Sequence, residues 1–160
     1  MKKISSIVFA LFIMSFISCN GVDANKSENA TSEVKVGVVN QMNTEMFKKL
    51  VYNYSKNPKT WVFEGNQPII IDFYADWCRP CKMVSPIMEE LATQYKGKVT
   101  FYRINIDEEK ELAQTFNIQS IPALLYIPVK GQPQMSVGLS SKDGYIQQIQ
   151  SLLVQPQASN

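Results

Sequence analysis

Along residues 34–153, segments with the apolar pattern of β-strands alternate with segments whose apolar residues recur at helical spacing. Residues 69–74 are apolar on both parities, with one aspartate among them, which predicts a central strand covered on both faces. The weaker alternation of apolar and polar residues elsewhere predicts strands with one covered face. The segments with strand character are 34–39, 69–74, 99–106, 123–127 and 135–138.

Apolar residues between these strands recur at helical spacing. Asn43 or Thr44 can cap a first helix, residues 108–116 form a short one, and Ser140 or Ser141 can cap the last. The residues expected to face inward are Met46, Phe47, Leu50, Val51 and Tyr54 in the first helix and Tyr145, Ile146, Ile149, Leu152 and Leu153 in the last.

The longest predicted helix follows the central strand. It begins at Pro80 or Lys82 and ends at Lys96, and Pro86 is expected to kink it. Its apolar residues repeat at steps of four, and the ones expected to face inward are Met83, Ile87, Leu91 and Tyr95.

Strands and helices therefore interleave, and the fold class is α/β. The short turn at Lys130-Gly131 joins the last two strands, so these two pair antiparallel. A central mixed β-sheet with helices on both faces is the predicted architecture. Segment 55–67 is a predicted loop, and its Trp61 and Phe63 form either a local packing cluster or a docking surface.

The start of the chain has the pattern of a signal peptide. Lys2 and Lys3 precede the apolar run 4–17, which is shorter than the roughly 20 residues of a spanning helix, the alternative interpretation. Ser18-Cys19 at its end resembles the lipobox of bacterial lipoproteins, although Phe16 stands where that family prefers Leu. The resemblance implies a lipid on Cys19, and an ordinary cleavage site is the alternative.

The chain divides into four predicted parts. The polar, aromatic-free segment after the leader cannot bury enough surface to fold, so it is interpreted as a tether to the membrane. The predicted parts are a lipoprotein-type signal peptide 1–18, a flexible tether 19–33, a folded domain 34–155 and a frayed tail 156–160.

Composition excludes several classes of function. The net charge of +2 and the absence of a dense basic segment argue against nucleic-acid binding. The chain has no histidine, which removes histidine metal sites and Ser-His or Cys-His nucleophile pairs. We therefore expect neither a metal nor a cofactor.

Cys78 and Cys81 are the main chemical signal. They stand two residues apart at a predicted helix start, where free N–H groups favour a thiolate at Cys78. Pro80 suits the first helical turn, and Arg79 adds a positive charge. Zinc would need two more Cys or His ligands than the folded part has, and a structural disulfide this short would add little stability. The favoured interpretation is that Cys78 and Cys81 form a redox-active pair.

The stretch "IIIDFYADWCRPCKMVSP" resembles the active-site region of thioredoxins, and "RINIDEEKELAQTFNIQSIPALLYI" extends the similarity, which spans about residues 34–153. The resemblance implies a thioredoxin fold for the folded domain. It also implies a role for each matched residue: Cys78 as the exposed attacking cysteine, Cys81 as the buried resolving cysteine, Asp72 as the buried proton carrier, Trp77 beside the disulfide, Ile121 and cis-Pro122 in the loop facing it, and Gly138 in the partner groove.

Three residues around this motif carry open questions. Asp72 in an apolar strand is costly, so it is either a proton carrier or a hydrogen-bonded structural residue. Arg103, where the family usually has Lys, either screens Asp72 or is a surface cation. Arg79 stands where thioredoxins usually have glycine. Its positive charge is expected to stabilise the Cys78 thiolate and thereby raise the reduction potential of the Cys78–Cys81 couple. Lys82 is also expected to support the site, together with Trp77, Arg79, Pro80 and Arg103.

The favoured function is reduction of disulfides in exported proteins by a Cys78–Cys81 couple. Pro80 and Ile121-Pro122 resemble reducing thioredoxins. A periplasmic oxidase or isomerase is the alternative, and a lipid-anchored module without catalysis is a third. The expected partners are disulfide-containing proteins, a membrane electron donor and, through Cys19, the membrane itself; the expected state is a monomer on the periplasmic face.

Overall fold

A mixed sheet organises residues 34–154, the part of the chain that the computed structural model describes. The strands are β1 Val39–Gln41, β2 Ile69–Tyr74, β3 Thr100–Asn105, β4 Ala123–Ile127 and β5 Gln134–Val137. Their order is β1-β3-β2-β4-β5; β1, β3 and β2 run parallel, whereas β4 is antiparallel to both β2 and β5. The predicted mixed sheet is confirmed. The predicted signal peptide, Cys19, the tether, the last predicted residue of the domain (155) and the predicted tail 156–160 lie outside the described residues.

Helices cover both faces of this sheet, as predicted. They are α1 Thr44–Leu50, α2 Arg79–Gln94, α3 Lys110–Thr115 and α4 Lys142–Leu153. One apolar layer joins α2 and α4 to the face that carries Ile70 and Leu124, and a second joins α1 and α3 to the face that carries Ile71 and Leu125. Because side chains alternate along a strand, β2 supplies both layers, and this is why it is apolar on both parities.

Side-chain caps define where two of the helices begin. The Asn43 Oδ1 accepts a hydrogen bond from the Met46 N–H at 2.9 Å, and the Ser141 Oγ accepts one from the Gly144 N–H at 3.1 Å. Each cap satisfies one of the backbone N–H groups that the first turn of a helix leaves without a partner. These contacts decide between the paired candidates that the sequence offered at each helix start.

The first strand lies later than predicted. Residues 34–38 form no strand, and β1 begins only at Val39. The Asn40 side chain accepts from the Lys35 N–H and donates to the Lys35 carbonyl, both at 2.9 Å. These bonds hold the preceding residues in a turn, which includes Gly37 at φ +85°. Side-chain bonds of this kind compete with a strand ladder, and here they prevail.

The buried face of α2 agrees with the prediction only in part, because Leu91 and Tyr95 are buried as predicted and Met83 is not. Met83 is 56% exposed, and the inward stripe consists of Cys81, Val84, Met88, Leu91 and Ala92. The burial of Cys81 sets the rotation of the helix, so the positions three and seven residues later follow it into the core. Pro86 lies within the helix as predicted. In α4, Tyr145, Ile149 and Leu152 are buried as predicted, whereas Leu153 is exposed.

The 55–67 loop contains neither helix nor strand, as predicted. Its Trp61 ring lies 4.6 Å from the Tyr52 ring, and both Trp61 and Phe63 pack against the layer formed by α1 and α3. These contacts favour the packing interpretation over the docking surface. None of the helices in residues 34–154 is long and apolar enough to cross a membrane.

Asn117 ends α3 in the left-handed region, at φ +48°. Its N–H donates to the Gln114 carbonyl, and the Ile118 N–H donates to the Ala113 carbonyl, which together form a Schellman motif. A Cβ-bearing residue without a local polar partner is strained there, so Asn117→Ala is expected to destabilise the fold by about 1 kcal/mol. Asn117→Gly is expected to match or exceed the wild type. Urea unfolding of the two variants measures this, and equal midpoints would contradict it.

Candidate active site

Cys78 and Cys81 form a disulfide at the start of α2, with 5.3 Å between their Cα atoms. Cys78 occupies the N-cap position, and its Sγ accepts a hydrogen bond from the Cys81 N–H at 3.2 Å. The sulfur of Cys78 therefore meets the positive end of the helix dipole, where a thiolate is stabilised. Pro80 lies in the first turn, at a position where a missing N–H carries no penalty.

In this disulfide state both cysteines are nearly covered. Cys78 is 3% exposed and Cys81 is 1% exposed. The expectation that Cys78 is exposed is therefore wrong for the oxidised form, whereas Cys81 is buried as expected. The covering residues come from the end of β2 and from two loops: Tyr74, Ala75, Ile106 and Ile121.

The exposed rim of the site carries the other residues of the Cys78–Cys81 motif. Arg79, Pro80 and Lys82 are exposed, and Trp77 is 69% exposed. The Trp77 indole N–H donates to Asp107 Oδ2 at 2.9 Å, which orients the ring. Sequence reasoning missed Asp107. The available signal was topological, because parallel β2 and β3 end at the same edge of the sheet and Asp107 follows β3 closely.

The loop before β4 forms the other side of the site. The Ile121–Pro122 peptide bond is cis, as the resemblance implied, and Pro122 is buried. Ile121 packs against the cluster that holds the disulfide. The Gly138 N–H donates to the Pro122 carbonyl at 2.8 Å, and Gly138 has φ +92°, a conformation that favours glycine. The structure thus brings Ile121, on the N-terminal side of the cis bond, to the disulfide cluster and joins Gly138 to Pro122.

Asp72 lies in the middle of β2, on the same face as Ile70 and therefore beneath the layer of α2 and α4. It is 3% exposed, and its Oδ1 has no hydrogen-bond partner among residues 34–154. Burial raises the pKa of Asp72 to about 7, and the positive charge of Arg103 limits that rise. An unpartnered carboxylate with this pKa fits proton exchange near neutral pH better than a structural hydrogen-bonding role.

Arg103 lies directly opposite Asp72 in the β2–β3 register and is half-buried. Its effect on the Asp72 pKa favours the screening interpretation over that of a surface cation. Within residues 34–154, no group of three or more cysteine or carboxylate side chains could hold a metal ion.

A cysteine pair at the start of a helix, packed against the cis-proline loop, with a buried carboxylate on the same face of the sheet, defines a site for thiol–disulfide exchange. The Thioredoxin family model matches residues 38–151. A thioredoxin of Borreliella burgdorferi is 46% identical over 101 residues, which cover 63% of this chain and 86% of that protein. A thioredoxin of Rickettsia felis is 36% identical over 88 residues, covering 55% and 84%.

The chain therefore belongs to the thioredoxin family, and it is a thiol–disulfide oxidoreductase. A solved thioredoxin variant from Halobacterium salinarum has a TM-score of 0.60 and 24% identity, and the match covers 78% of this chain and 98% of that one. At that identity the likeness supports the fold alone.

Proposed function

We propose that this thioredoxin reduces disulfides of exported proteins, with Cys78 as the nucleophile, Cys81 as the resolving thiol and Asp72 as the proton acceptor. The observation that carries the proposal is the disulfide at the start of α2, on the side of the sheet where the unpartnered Asp72 carboxylate is buried. Trp77, Arg79, Pro80, Lys82 and Arg103 support the site, and Ile121, Pro122 and Gly138 bind the partner chain.

The reaction has two exchange steps. The Cys78 thiolate attacks one sulfur of the substrate disulfide, that disulfide breaks, and the second substrate sulfur leaves and takes a proton. Asp72 then accepts the proton of Cys81, and the Cys81 thiolate attacks the Cys78 sulfur. The mixed disulfide breaks, and the first substrate sulfur leaves as a thiolate and takes a proton from water. The substrate has gained two electrons, and the Cys78–Cys81 disulfide has re-formed.

The direction of this exchange is tested by the reduction potential of the Cys78–Cys81 couple, measured by equilibration with glutathione buffers. A low potential, in the range of reducing thioredoxins at roughly −270 mV, supports the reductase. A potential close to those of disulfide-forming proteins would assign the protein to the oxidase or isomerase class instead. If the Cys78–Cys81 couple does not equilibrate with glutathione, the protein would be assigned to the third class, a binding module without catalysis.

Arg79→Gly is expected to lower that potential by about 10–20 mV, because an exposed charge contributes about 0.5–1 kcal/mol to a neighbouring ion. Removing the positive charge beside Cys78 destabilises the thiolate and with it the reduced form. The thiolate fraction at neutral pH, followed by ultraviolet absorbance, is expected to fall as well. Lys59→Gly in the 55–67 loop is the matched control, and equal potentials for both variants would remove this role of Arg79.

We further propose that the domain, as a monomer, works on the periplasmic face of a bacterial membrane, tethered through an acylated Cys19. The support lies in the sequence: a basic start, the apolar run 4–17 and the Ser18-Cys19 pair that follows it. A reductant outside the cytosol needs a supply of electrons, so a membrane-bound thiol donor belongs to this proposal.

Labelling with a radioactive fatty acid in a bacterial host tests the anchor. The wild-type chain is expected to carry the label and to sediment with membranes, and Cys19→Ser is expected to lose the label. An unlabelled wild-type protein that is cleaved and released would instead indicate an ordinary exported thioredoxin.

A further inference from the structure

The guanidinium of Arg103 rests on an aromatic ring. Its central carbon lies 3.6 Å from the centroid of the Tyr74 ring, well within the range of a cation–π contact. Tyr74 is itself buried and stands two residues after Asp72 on β2, so both side chains project from the same face of the strand. The ring thus lies on the side of the sheet where Arg103 influences Asp72.

The Tyr74 ring is held in turn from the edge of the sheet. The Gln41 side-chain amide donates to the Tyr74 hydroxyl at 3.1 Å. Gln41 pairs with Arg103 in the β1–β3 register, and the next N–H along, that of Met42, donates to the Arg103 carbonyl at 3.0 Å. Gln41, Arg103 and Tyr74 therefore connect three neighbouring strands.

Arg103 has few other contacts to hold its side chain. Among residues 34–154 it forms no ion pair within 4.0 Å, and its buried Nε has no hydrogen-bond partner. The Oδ1 of Asp72 likewise has no partner in that part of the chain. The two charges interact through space, and the strength of such an interaction depends directly on the distance between them. Whatever holds the guanidinium in place therefore decides how strongly it acts on Asp72.

We propose that Tyr74 and Gln41 are positioning residues that hold the Arg103 guanidinium near Asp72 and thereby set the pH at which Asp72 takes up the proton of Cys81. The ring fixes the cation, and the amide fixes the ring. This inference rests on the proton-acceptor role of Asp72 proposed above. It adds that Tyr74, which also packs against the disulfide, and Gln41 on β1 tune that role through Arg103.

The other titratable groups near Asp72 carry no charge at working pH. Burial raises the pKa values of Tyr126 on β4 and Tyr145 on α4 above 10, and both tyrosines are electrostatically coupled to Asp72. On α2, Cys81 is bound in the disulfide. In the oxidised protein, Arg103 is the charge that offsets the effect of burial on the Asp72 pKa.

The test is the pKa of Asp72 itself, followed by carbon NMR of its carboxyl group in the oxidised full-length chain. Moving Arg103 into water removes a nearby opposite charge, so Tyr74→Leu is expected to raise this pKa by about 1 pH unit. Tyr74→Phe keeps the ring and is expected to change it less. Gln41→Ala, at an exposed position, is expected to give a smaller rise in the same direction.

A double-mutant cycle separates positioning from general structural damage. Arg103→Leu alone is expected to raise the Asp72 pKa at least as far as Tyr74→Leu does, and adding Tyr74→Leu to it is expected to cause no further rise. An equal rise with and without Arg103 would overturn the proposal. If Tyr74→Leu does not fold, an unchanged pKa in Gln41→Ala overturns it in the same way.

The pH dependence of mixed-disulfide resolution distinguishes this inference from the proposed function. If the midpoint of that rate profile moves with the Asp72 pKa in the variants, the positioning role of Tyr74 and Gln41 and the proton-acceptor role of Asp72 both hold. If the pKa moves and the rate profile does not, Tyr74 and Gln41 still position Arg103, and the proton-acceptor role of Asp72 is the part that fails.

Discussion

Cys78→Ser is expected to abolish disulfide reduction, whereas Cys81→Ser is expected to complete the first exchange step and then stop. A serine hydroxyl is not ionised near neutral pH, so the loss of turnover in Cys78→Ser is expected to exceed about 1,000-fold. Cys81→Ser keeps the sulfur that caps α2 but lacks the second thiolate, so the mixed disulfide with the substrate accumulates.

Turnover of a fluorescent disulfide-linked peptide measures the loss, and non-reducing electrophoresis detects the trapped complex. Cys19→Ser is the matched control, since it makes the same chemical change at the third cysteine and is expected to keep full turnover in the purified protein. A trapped complex in Cys78→Ser and none in Cys81→Ser would mean that the two cysteines have exchanged roles.

Asp72→Asn is expected to change how stability depends on pH. The folded protein holds the Asp72 proton up to about pH 7, whereas the ordinary value in an unfolded chain is 3.8. The raised carboxyl pKa means that the folded state binds more protons than the unfolded state between these two values. Stability is therefore expected to fall as pH rises through that window and to stay lower above it.

The size of this effect follows from the width of the window. At 1.36 kcal/mol per pKa unit, the oxidised wild type is expected to lose on the order of 4 kcal/mol between about pH 4 and pH 7. An asparagine side chain cannot ionise, so Asp72→Asn is expected to lack this loss and to be the more stable protein near pH 8. Urea unfolding of the oxidised proteins near pH 5 and pH 8 measures the difference.

The exposed Asp143→Asn in the first turn of α4 makes the same chemical change and is expected to keep the wild-type pH dependence. Asp72→Asn is also expected to slow substrate release near neutral pH, because Cys81 then lacks its proton acceptor. A wild type with equal stability at both pH values would contradict the raised pKa of Asp72.

The site residues whose signal lies within a single element or turn could be found from the sequence. Cys78, Cys81 and Pro80 belong together because a helix start supplies free N–H groups and tolerates proline, and all three lie within one turn. Asp72 was identifiable because one carboxylate interrupts an apolar strand. The predicted bounds of β2 and β4 are correct, since a continuously buried strand has an unambiguous local pattern.

Contacts that the apolar pattern of a single element does not report decided the rest. The Asn40 bonds to Lys35 moved the start of β1, and the burial of Cys81 rotated α2 so that Met83 faces solvent. Asp107 reaches Trp77 only because β2 and β3 end at the same edge of the sheet.

The sequence by itself determined the fold class, the redox pair and the buried carboxylate, because their signals lie within one element or one turn. Only the tertiary structure decided the near-complete cover of Cys78 and the contact of Arg103 with Tyr74, because these depend on residues from separate strands and loops. Local patterns report which face of an element is apolar, whereas the chemistry of this site depends on what the sheet brings next to each charge and each sulfur.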